Sequence, residues 1–448
     1  MKTATHTTAV LLALLIALLA GSSQAAAAGP KTTRVSVGSN GQGGPYESDF
    51  PSLSANGRYS CFESLNKFTK GDAKIDDDVF VHDRVTGTTT RVSVKSNGKE
   101  APGAANSDSC SLSADGRLVA FRSDAPLANG ATYGGIYVHD MSTGETTLVS
   151  VKSNGDQLNA SEANPRISAN GRYVVWDTDG AFSAADVNGY TDVYRHDLKT
   201  GKTQQVSLRS DGSQPVYESS EPSISADGQR IAFQSDDGHM TSDTDYQFLI
   251  DTDVFVRDMK QGTTVRASLS SNGDEPTYPN HTGPANVSSN HPVISADGKF
   301  VAFHSFGIYN GSDDNPNYGD VFLHNLSTGK TSLVSLKSNG QQATGESGYT
   351  DPHPIEISDD GRFVAFDSEA QLSAKDTDNV GDVYVRDRQT NKTQLASVKS
   401  NGQPLGNVDA ALPALSSDGK WVAFASSDPY VGNDDNNDSD IYERGPLN

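Results

Sequence analysis

Short apolar runs, each introduced by a polar turn, recur along the chain. They combine aromatic, β-branched and small residues, which predicts strands buried on both faces. The runs occupy 118–121, 173–176, 300–303, 363–366 and 421–424. The turns follow a Ser-Ala-Asp-Gly template at 54–57, 113–116, 168–171, 225–228, 295–298, 358–361 and 416–419. We predict hairpin turns there, with Gly at positive φ and Asp or Asn accepting local backbone hydrogen bonds.

Two further strand patterns complete each unit. An alternating segment, of the type Asp-Val-Phe-Val-His-Asp, appears at 78–83, 192–197, 253–258 and 382–387, with divergent copies at 135–137 and 440–442. A Thr-Gly turn such as Thr86-Gly87 then leads into a Val-Ser-Val block such as 90–94. With the short strand that ends at the Ser-Ala turn, each unit therefore holds four strands.

The repetition of this unit predicts an all-β fold, a seven-bladed β-propeller of four-stranded blades. A helical solenoid is excluded because no window after the N-terminal segment keeps a helical period. The chain opens at 33–37 with a fourth-strand block and ends at 440–444 with a third strand. We therefore expect the N-terminal strand to complete the last blade and close the ring, so that 32–445 forms one domain.

Residues 1–28 are predicted to be a secretory signal peptide. Lys2 begins a short polar region, 9–20 is an unbroken apolar run, and small residues at 23–28 suit cleavage. The apolar run is too short to cross a bilayer, and no later stretch approaches that length, so no membrane span is expected. We expect a secreted protein, extracellular or, in a bacterium with two membranes, periplasmic.

The net charge limits the classes of partner that the protein can bind. The formal net charge is −22, which repels phosphate backbones and argues against nucleic acid as a partner. Cations, basic proteins and neutral sugars suit this charge better.

Cys61 and Cys110 lie one repeat apart. They either pair across neighbouring units or remain two buried free thiols, and their spacing matches no catalytic or zinc pattern.

The order of these motifs resembles a known repeat family. Ser-Ala-Asp-Gly-Arg at 113–117, Val-Ala-Phe at 119–121 and Asp-Val-Phe-Val-His-Asp at 78–83 are similar to the TolB-like, WD40-like (PD40) β-propeller repeats of secreted and periplasmic bacterial proteins. The resemblance covers 32–445. It implies the fold and no single activity, since the family includes both interaction platforms and domains attached to enzymes. The chain has no helical domain like that of TolB, so a Tol-system role is not carried over.

The short turns are expected on one face of the propeller and the long, variable loops on the other. The longest loops, 236–252, 274–292 and 341–354, belong to the fourth to sixth units, and function on a rigid scaffold concentrates in such loops. The candidate ligand-contacting residues are Tyr246, Tyr278, His281, His291, Tyr309, Tyr318, Tyr349 and His353. Packing of these rings onto the scaffold is the alternative for each of them. One position of the repeat is occupied either by histidine or by arginine. We predict that this residue is structural and pairs with a nearby Asp. The residues are His82, His139, His196, His324, Arg257 and Arg386.

Carboxylates precede three of the third strands at one shared spacing. The three sets are Asp186, Asn188 and Asp192; Asp376, Asp378 and Asp382; and Asp434, Asn436 and Asp440. Oxygen ligands at alternate loop positions, closed by another carboxylate, suit a hard cation such as calcium. The pattern lacks the distal Glu and the central Gly of an EF-hand, so we expect several weak sites. The alternative is that the last Asp of each set only caps its loop.

No nucleophile elbow, metalloprotease helix, phosphate-binding loop or dinucleotide fingerprint is present. The sequence therefore favours a non-enzymatic, monomeric binding propeller that presents its loops to a protein or glycan. Two alternatives stay open. One is a polysaccharide lyase or related sugar-active enzyme, with His281, His291, His304 and His353 converging in a central pocket. The other is a lectin-like adaptor subunit of a secreted bacterial toxin complex.

Overall fold

The computed structural model describes residues 29–72, 74–103, 105–241, 251–277, 287–309, 318–349, 354–406, 408–434 and 436–447. Across these ranges the chain forms seven four-stranded antiparallel sheets, the blades of a β-propeller, as predicted. The predicted signal peptide, 1–28, lies outside the described residues. Within the described ranges, no helix has the length and apolar character to cross a bilayer.

Each of the first six blades takes four strands that follow one another along the chain. Blade 1 comprises β2 (Ser48–Leu53), β3 (Tyr59–Ser64), β4 (Asp78–Asp83) and β5 (Thr88–Arg91). Blade 2 comprises β6 (Ser107–Leu112), β7 (Leu118–Ser123), β8 (Gly135–Asp140) and β9 (Glu145–Leu148). Blade 3 comprises β10 (Glu162–Ile167), β11 (Tyr173–Thr178), β12 (Asp192–Asp197) and β13 (Lys202–Gln205). Blade 4 comprises β14 (Ser219–Ile224), β15 (Arg230–Ser235), β16 (Asp253–Asp258) and β17 (Thr263–Arg266).

Blades 5 and 6 keep this order, whereas blade 7 departs from it and closes the ring. Blade 5 comprises β18 (Ser289–Ile294), β19 (Phe300–Ser305), β20 (Asp320–Asn325) and β21 (Lys330–Leu333). Blade 6 comprises β22 (Ile355–Ile357), β23 (Phe363–Ser368), β24 (Asp382–Asp387) and β25 (Lys392–Leu395). Blade 7 comprises β26 (Ala410–Leu415), β27 (Val422–Ser426), β28 (Asp440–Gly445) and the N-terminal β1 (Lys31–Arg34). Strand β1 pairs antiparallel with β28, with Thr32 opposite Arg444, so the predicted closure is confirmed.

The core lies within and between neighbouring blades. In every blade an aromatic residue of the second strand faces one of the third, with ring centroids 5.8 to 6.2 Å apart. Apolar residues of blade 1, such as Val79 and Val81, join those of blade 2, such as Val119 and Phe121, in one cluster. Cys61 and Cys110 form a disulfide between β3 and β6. The alternative of two free thiols is therefore wrong.

The Ser-Ala-Asp-Gly turns close the propeller at one face, which we call the turn face. In the first turn, Gly57 has a φ of +63° and Asn56 accepts the N–H of Arg58 at 3.0 Å, as predicted. Each turn also donates a backbone N–H to the turn of the next blade, at 2.9 to 3.2 Å, and Ser417 donates to Ala55 to complete the circle. The repeated turn is therefore scaffold.

A second ring of contacts protects the outer edges of the blades. A serine in the hairpin that follows each fourth strand accepts the N–H of a threonine in the fourth strand of the next blade, at 2.9 to 3.3 Å. The pairs are Ser39–Thr89, Ser96–Thr146, Ser153–Thr203, Ser210–Thr264, Ser271–Thr331, Ser338–Thr393 and Ser400–Thr32. We call these contacts serine clamps. They satisfy backbone groups that an exposed edge strand offers to other chains.

The repeat-position histidines and arginines bond to these same threonines. His82, for example, lies 2.9 Å from the Thr89 hydroxyl, and Arg386 lies 2.9 Å from that of Thr393. The neighbouring Asp83 instead pairs with Arg58 at 2.7 Å. The residues are structural, as expected, but their hydrogen-bond partner is the threonine and not the Asp.

Candidate functional site

The face opposite the turns, which we call the loop face, carries the segments between second and third strands and between blades. Buried aspartates begin the third strand in six blades, and each accepts a hydrogen bond from a serine beyond the fourth strand. The pairs are Asp78–Ser93, Asp192–Ser207, Asp253–Ser268, Asp320–Ser335, Asp382–Ser397 and Asp440–Ser36. Burial raises the pKa of Asp192 to about 6 and that of Asp440 to about 7. A hydrogen-bond donor or a cation stabilises such a carboxylate in its charged form.

In three blades the buried aspartate forms an ion pair with an arginine, which is the last residue of the fourth strand. The pairs are Arg34–Asp440 at 2.5 Å, Arg91–Asp78 at 2.8 Å and Arg266–Asp253 at 2.5 Å. In blade 7, Arg34 also lies 3.5 Å from Asp434, and the Asn436 amide donates to the carbonyl of Gly44. In the predicted cation set, the carboxylates of Asp434 and Asp440 are therefore paired with an internal guanidinium, and the Asn436 amide is bonded to the backbone instead.

Two blades use side-chain amides instead. Gln342 donates to Asp320 at 3.0 Å. In blade 3, Asn188 donates to Asp192 at 2.9 Å and Gln214 donates to Asp186 at 2.9 Å. The Asn188 amide nitrogen thus faces Asp192, where the predicted calcium set needs an oxygen ligand. The set Asp186, Asn188 and Asp192 is compensated by hydrogen bonds.

Blade 6 keeps three carboxylates together. Oxygen atoms of Asp376, Asp378 and Asp382 lie within 4.8 Å of one another. Burial, and then the charges of Asp376 and Asp378, raise the pKa of Asp382 to about 7. Among the predicted sets, this is the one that the described residues leave arranged as a cluster of acidic oxygens.

The predicted ligand-contacting residues do not share one environment. Tyr246, Tyr278, His281 and His353 lie outside the described residues. Tyr349 is 55% exposed and Tyr318 is half-buried. Tyr309 is 3% exposed and its ring packs on Phe303 and Phe322. Tyr309 therefore packs inside blade 5, which corrects its prediction as a ligand-contacting residue. The sequence alone does not distinguish an exposed loop tyrosine from one that packs into a blade.

His291 and His304 form a buried polar cluster at the first and second strands of blade 5. His291 Nδ1 lies 2.9 Å from a carboxylate oxygen of Glu221, and His304 Nδ1 lies 2.9 Å from the Asn290 side chain. Burial, and then His291, lower the pKa of His304 to about 3. Its Nε2 has no hydrogen-bond partner among the described residues and abuts Gly319. The His304 ring is thus neutral and held in place.

The central channel is narrow where the first strands meet. Arg166 of blade 3 and Glu356 of blade 6 approach to 3.6 Å across the axis. The enclosed cavity has a volume of about 20 Å³ and is lined in part by Pro51, Pro165 and Pro413. At this level of the described residues, the propeller offers no chamber for a sugar chain.

An exposed aromatic pair on blade 3 is absent from the candidates predicted from the sequence. Tyr190 and Tyr217 have ring centroids 6.2 Å apart, and Val187 and Val216 of the same two loops are exposed as well. Their loops are pinned by Val187 donating to Gln214 at 3.1 Å. We call these four residues the tyrosine platform. Neither tyrosine is among the ligand-contacting residues predicted from the sequence, because their pairing depends on the relative position of two loops.

Comparisons with known proteins bear on the fold. No protein-family model matches the sequence, and no curated protein matches it. An oligogalacturonate lyase in complex with manganese is 14% identical, with a TM-score of 0.53 over 94% of both chains. The oligogalacturonate lyase of Vibrio parahaemolyticus is 12% identical, with a TM-score of 0.52 over 92% of this chain and 93% of that chain.

A TolB structure is a more distant neighbour. TolB from Acinetobacter baumannii is 16% identical, with a TM-score of 0.40 over 75% of this chain and 62% of that chain. At such low identities, the likeness to the lyases shows the fold alone. The chain is a seven-bladed β-propeller with buried aspartates at the start of six third strands, and its function must be argued from its own residues.

Proposed function

We propose that the protein is an exported binding module that recognises a glycan or a protein with its loop face. The tyrosine platform is the observation that carries this proposal. Two exposed tyrosines stand on loops fixed by hydrogen bonds, including one from Asn188 to the carbonyl of Pro215 at 3.2 Å. Flat amphipathic rings on a rigid support bind ligands at low entropic cost.

A neutral glycan fits the platform better than a protein does. The platform is small, whereas a stable protein interface buries about 800 Å² on each partner. The net charge of −22 opposes polyanionic ligands. Export rests on the signal-peptide pattern of 1–28, and a role as a glycan-reading adaptor of a larger secreted complex is one form of this proposal.

The test compares the chain without residues 1–28 with a Tyr190→Ala/Tyr217→Ala variant on an array of bacterial and plant glycans. We expect binding by the variant to be about 5-fold to 150-fold weaker, since two lost aromatic contacts of about 0.5–1.5 kcal/mol each remove about 1–3 kcal/mol. Tyr133→Ala, which removes an exposed tyrosine of blade 2, is the matched control and should bind like the wild type. Equal binding by the double variant, or no glycan bound by the wild type, would contradict the proposal.

A sugar-active enzyme is the second candidate. The observation behind it is that two of the histidines predicted for such a pocket, His291 and His304, lie together with ring centroids 6.3 Å apart, and the Tyr349 ring is 5.5 Å from that of His304. The test is ultraviolet detection of unsaturated sugars after incubation with acidic polysaccharides and divalent metals. Activity that is lost in His291→Ala and kept in Tyr190→Ala would replace the binding proposal.

Calcium is proposed as a stabilising ligand of the acidic loops. Hard cations prefer carboxylate and carbonyl oxygens, and ligand binding to the native state raises the unfolding midpoint. Thermal unfolding in calcium and after chelation tests this: we expect a higher midpoint in calcium. An unchanged midpoint together with metal-free protein would contradict it.

A further inference from the structure

A pocket lies beside blade 1, between the hairpin that follows β1 and the loop that joins β3 to β4. Its volume is about 680 Å³, which falls within the range of about 300–1,000 Å³ that is typical of small-molecule sites. Two large apolar side chains that line it, Tyr46 and Ile75, are exposed. We call it the blade 1 pocket.

A buried amide fixes the hairpin wall of this pocket. The Tyr46 N–H donates to the Asn66 side-chain oxygen at 2.9 Å, and the Asn66 amide nitrogen donates to the Tyr46 carbonyl. Asn66 is 1% exposed, and a Cβ built on Gly44 would overlap it, so the hairpin and the loop are in close contact. The exposed ring of Tyr46 therefore stands on a fixed backbone.

The opposite wall is anchored in the core of blade 1. The Phe68 ring packs edge-on against those of Phe62 and Phe80, with ring centroids 6.0 and 5.3 Å apart. Lys67 and Lys70 stand on either side of Phe68 in the chain, are exposed and line the pocket. Two ammonium groups are thus carried by one anchored segment, and a preorganised wall lowers the entropic cost of binding a ligand.

The charge of the blade 1 pocket is of one sign. Two charged side chains are among the described residues that line it, and both are cations, Lys67 and Lys70. The groove beside blade 2, with a volume of about 890 Å³, instead combines Lys152 with Glu145 and Asp156. The blade 1 pocket is therefore a cationic site on a chain whose net charge is −22.

The fold does not require these two lysines. In blades 3, 6 and 7 the loop between the second and third strands has the same length as in blade 1, and both equivalent positions are uncharged. The pairs are Ala181 and Ala184, Gln371 and Ala374, and Pro429 and Gly432. Since three blades form without a charge at these positions, the lysines of blade 1 call for an explanation other than folding.

We infer that the blade 1 pocket binds one anionic sugar residue, with its carboxylate or phosphate group at Lys67 and Lys70 and its ring against Tyr46. An ammonium group binds either anion as a point charge. The amides of Asn40 and Gln42, which also line the pocket, suit a ligand rich in hydroxyl groups. The inference goes beyond the proposed function, because it assigns a second site with a different preference from the tyrosine platform.

The negative charge of the whole chain does not prevent such binding. At physiological ionic strength the Debye length is about 8 Å, so distant carboxylates are screened while the two pocket lysines act at contact. The sign of the salt dependence separates the two effects. Binding governed by the lysines weakens as salt is added, whereas binding governed by repulsion from the net charge strengthens.

The first test is calorimetric titration of the chain without residues 1–28. The probes are oligosaccharides of mannuronic, glucuronic and galacturonic acid and a phosphorylated mannose oligosaccharide, each beside the neutral sugar of the same backbone. We expect one anionic probe to bind at least about tenfold more tightly than its neutral counterpart, since charge-assisted hydrogen bonds are about twice as strong as neutral ones. A uronate or the phosphorylated probe then identifies the anion. No anionic probe bound more tightly than its counterpart, or binding that strengthens with salt, overturns the inference.

The second test replaces the lysines with the residues of blade 6. Lys67→Gln with Lys70→Ala reproduces the pair of Gln371 and Ala374, so this variant should keep the wild-type unfolding midpoint. It should bind the anionic probe at least about tenfold more weakly. Lys152→Gln with Lys392→Gln, which removes the same charge from two other grooves, is the control and should bind like the wild type. Equal affinity in the blade 1 variant overturns the inference.

The tyrosine platform is tested apart from this pocket. Tyr190→Ala with Tyr217→Ala should bind the anionic probe as the wild type does, so a failed platform leaves the pocket result standing, and the reverse holds as well. Loss of the anionic probe in the platform variant would assign its binding to the platform and overturn the inference.

Discussion

Single glycines of the turn face meet two requirements at once. Gly116 has a φ of +71°, and a Cβ built on it would overlap the ring of Tyr59 in the preceding blade. Gly98 has the same φ of +71° but open space around it. The two glycines therefore separate backbone strain from packing.

We expect Gly98→Ala to lower the free energy of unfolding by about 1–2 kcal/mol, the cost of a left-handed alanine. Gly116→Ala should lower it by a further 1–3 kcal/mol or so, because the ring of Tyr59 must move. Urea unfolding of the two variants measures the difference. Equal losses would show that the packing against Tyr59 is unimportant.

Glu162 predicts a pH dependence of stability. Burial raises its pKa from 4.5 to about 8, and one of its carboxylate oxygens has no partner among the described residues. Between these pH values the folded chain keeps a proton that the unfolded chain releases. Stability contributed by this group is therefore present below pH 4.5 and is lost as the pH rises towards 8.

Glu162→Gln should remove this part of the pH dependence, which has a slope of up to about 1.4 kcal/mol per pH unit. The measurement is the free energy of unfolding in urea at several pH values across that window. Glu145→Gln, which alters an exposed carboxyl group, should leave the wild-type slope unchanged. Parallel profiles for wild type and Glu162→Gln would contradict the assignment.

The serine clamps act between whole strands. Ser153 accepts the N–H of Thr203 at 3.0 Å and donates to its carbonyl at 3.1 Å, and so covers part of the edge of β13. Ser153→Ala should lower the free energy of unfolding by about 1–2 kcal/mol and speed amide exchange at Thr203, since two hydrogen bonds are lost. Ser213→Ala, whose hydroxyl bonds only within its own turn, is the control. Unchanged exchange at Thr203 would refute the clamp.

Strands and turns were predictable from sequence because hairpins are local and the repeat shows each of them several times. Closure by β1 was predictable because a surplus strand at one end matched a missing strand at the other. The serine clamps join residues about one repeat apart. The local signal for them is the Ser-Asn-Gly or Ser-Asp-Gly triplet that begins with each clamp serine, at 39–41, 96–98, 153–155, 210–212, 271–273, 338–340 and 400–402. The groups that pair with the buried loop-face aspartates were not predictable from the sequence either. They are an Arg at the end of the fourth strand or a Gln in the loop that follows it, and both positions are distant from the aspartate along the chain.

The propeller as a whole depends on β1 to close the ring. Thr32 and Arg34 pair with Arg444 and Tyr442 of β28, and Arg34 is the cation beside the buried Asp440. A chain that begins at Gly38 would leave blade 7 with three strands and Asp440 without its partner. We expect the free energy of unfolding to fall by at least about 3 kcal/mol, the usual cost of breaking a buried ion pair.

A synthetic peptide of residues 29–40, added to the chain that begins at Gly38, tests whether the loss comes from ring closure. Because the peptide carries both the edge pairing and the guanidinium, it should raise the thermal midpoint in proportion to its concentration. The same peptide with Arg34→Leu should restore less, since it supplies the strand without the cation. Equal midpoints for the truncated and the longer chain would show that the other blades hold the ring without β1.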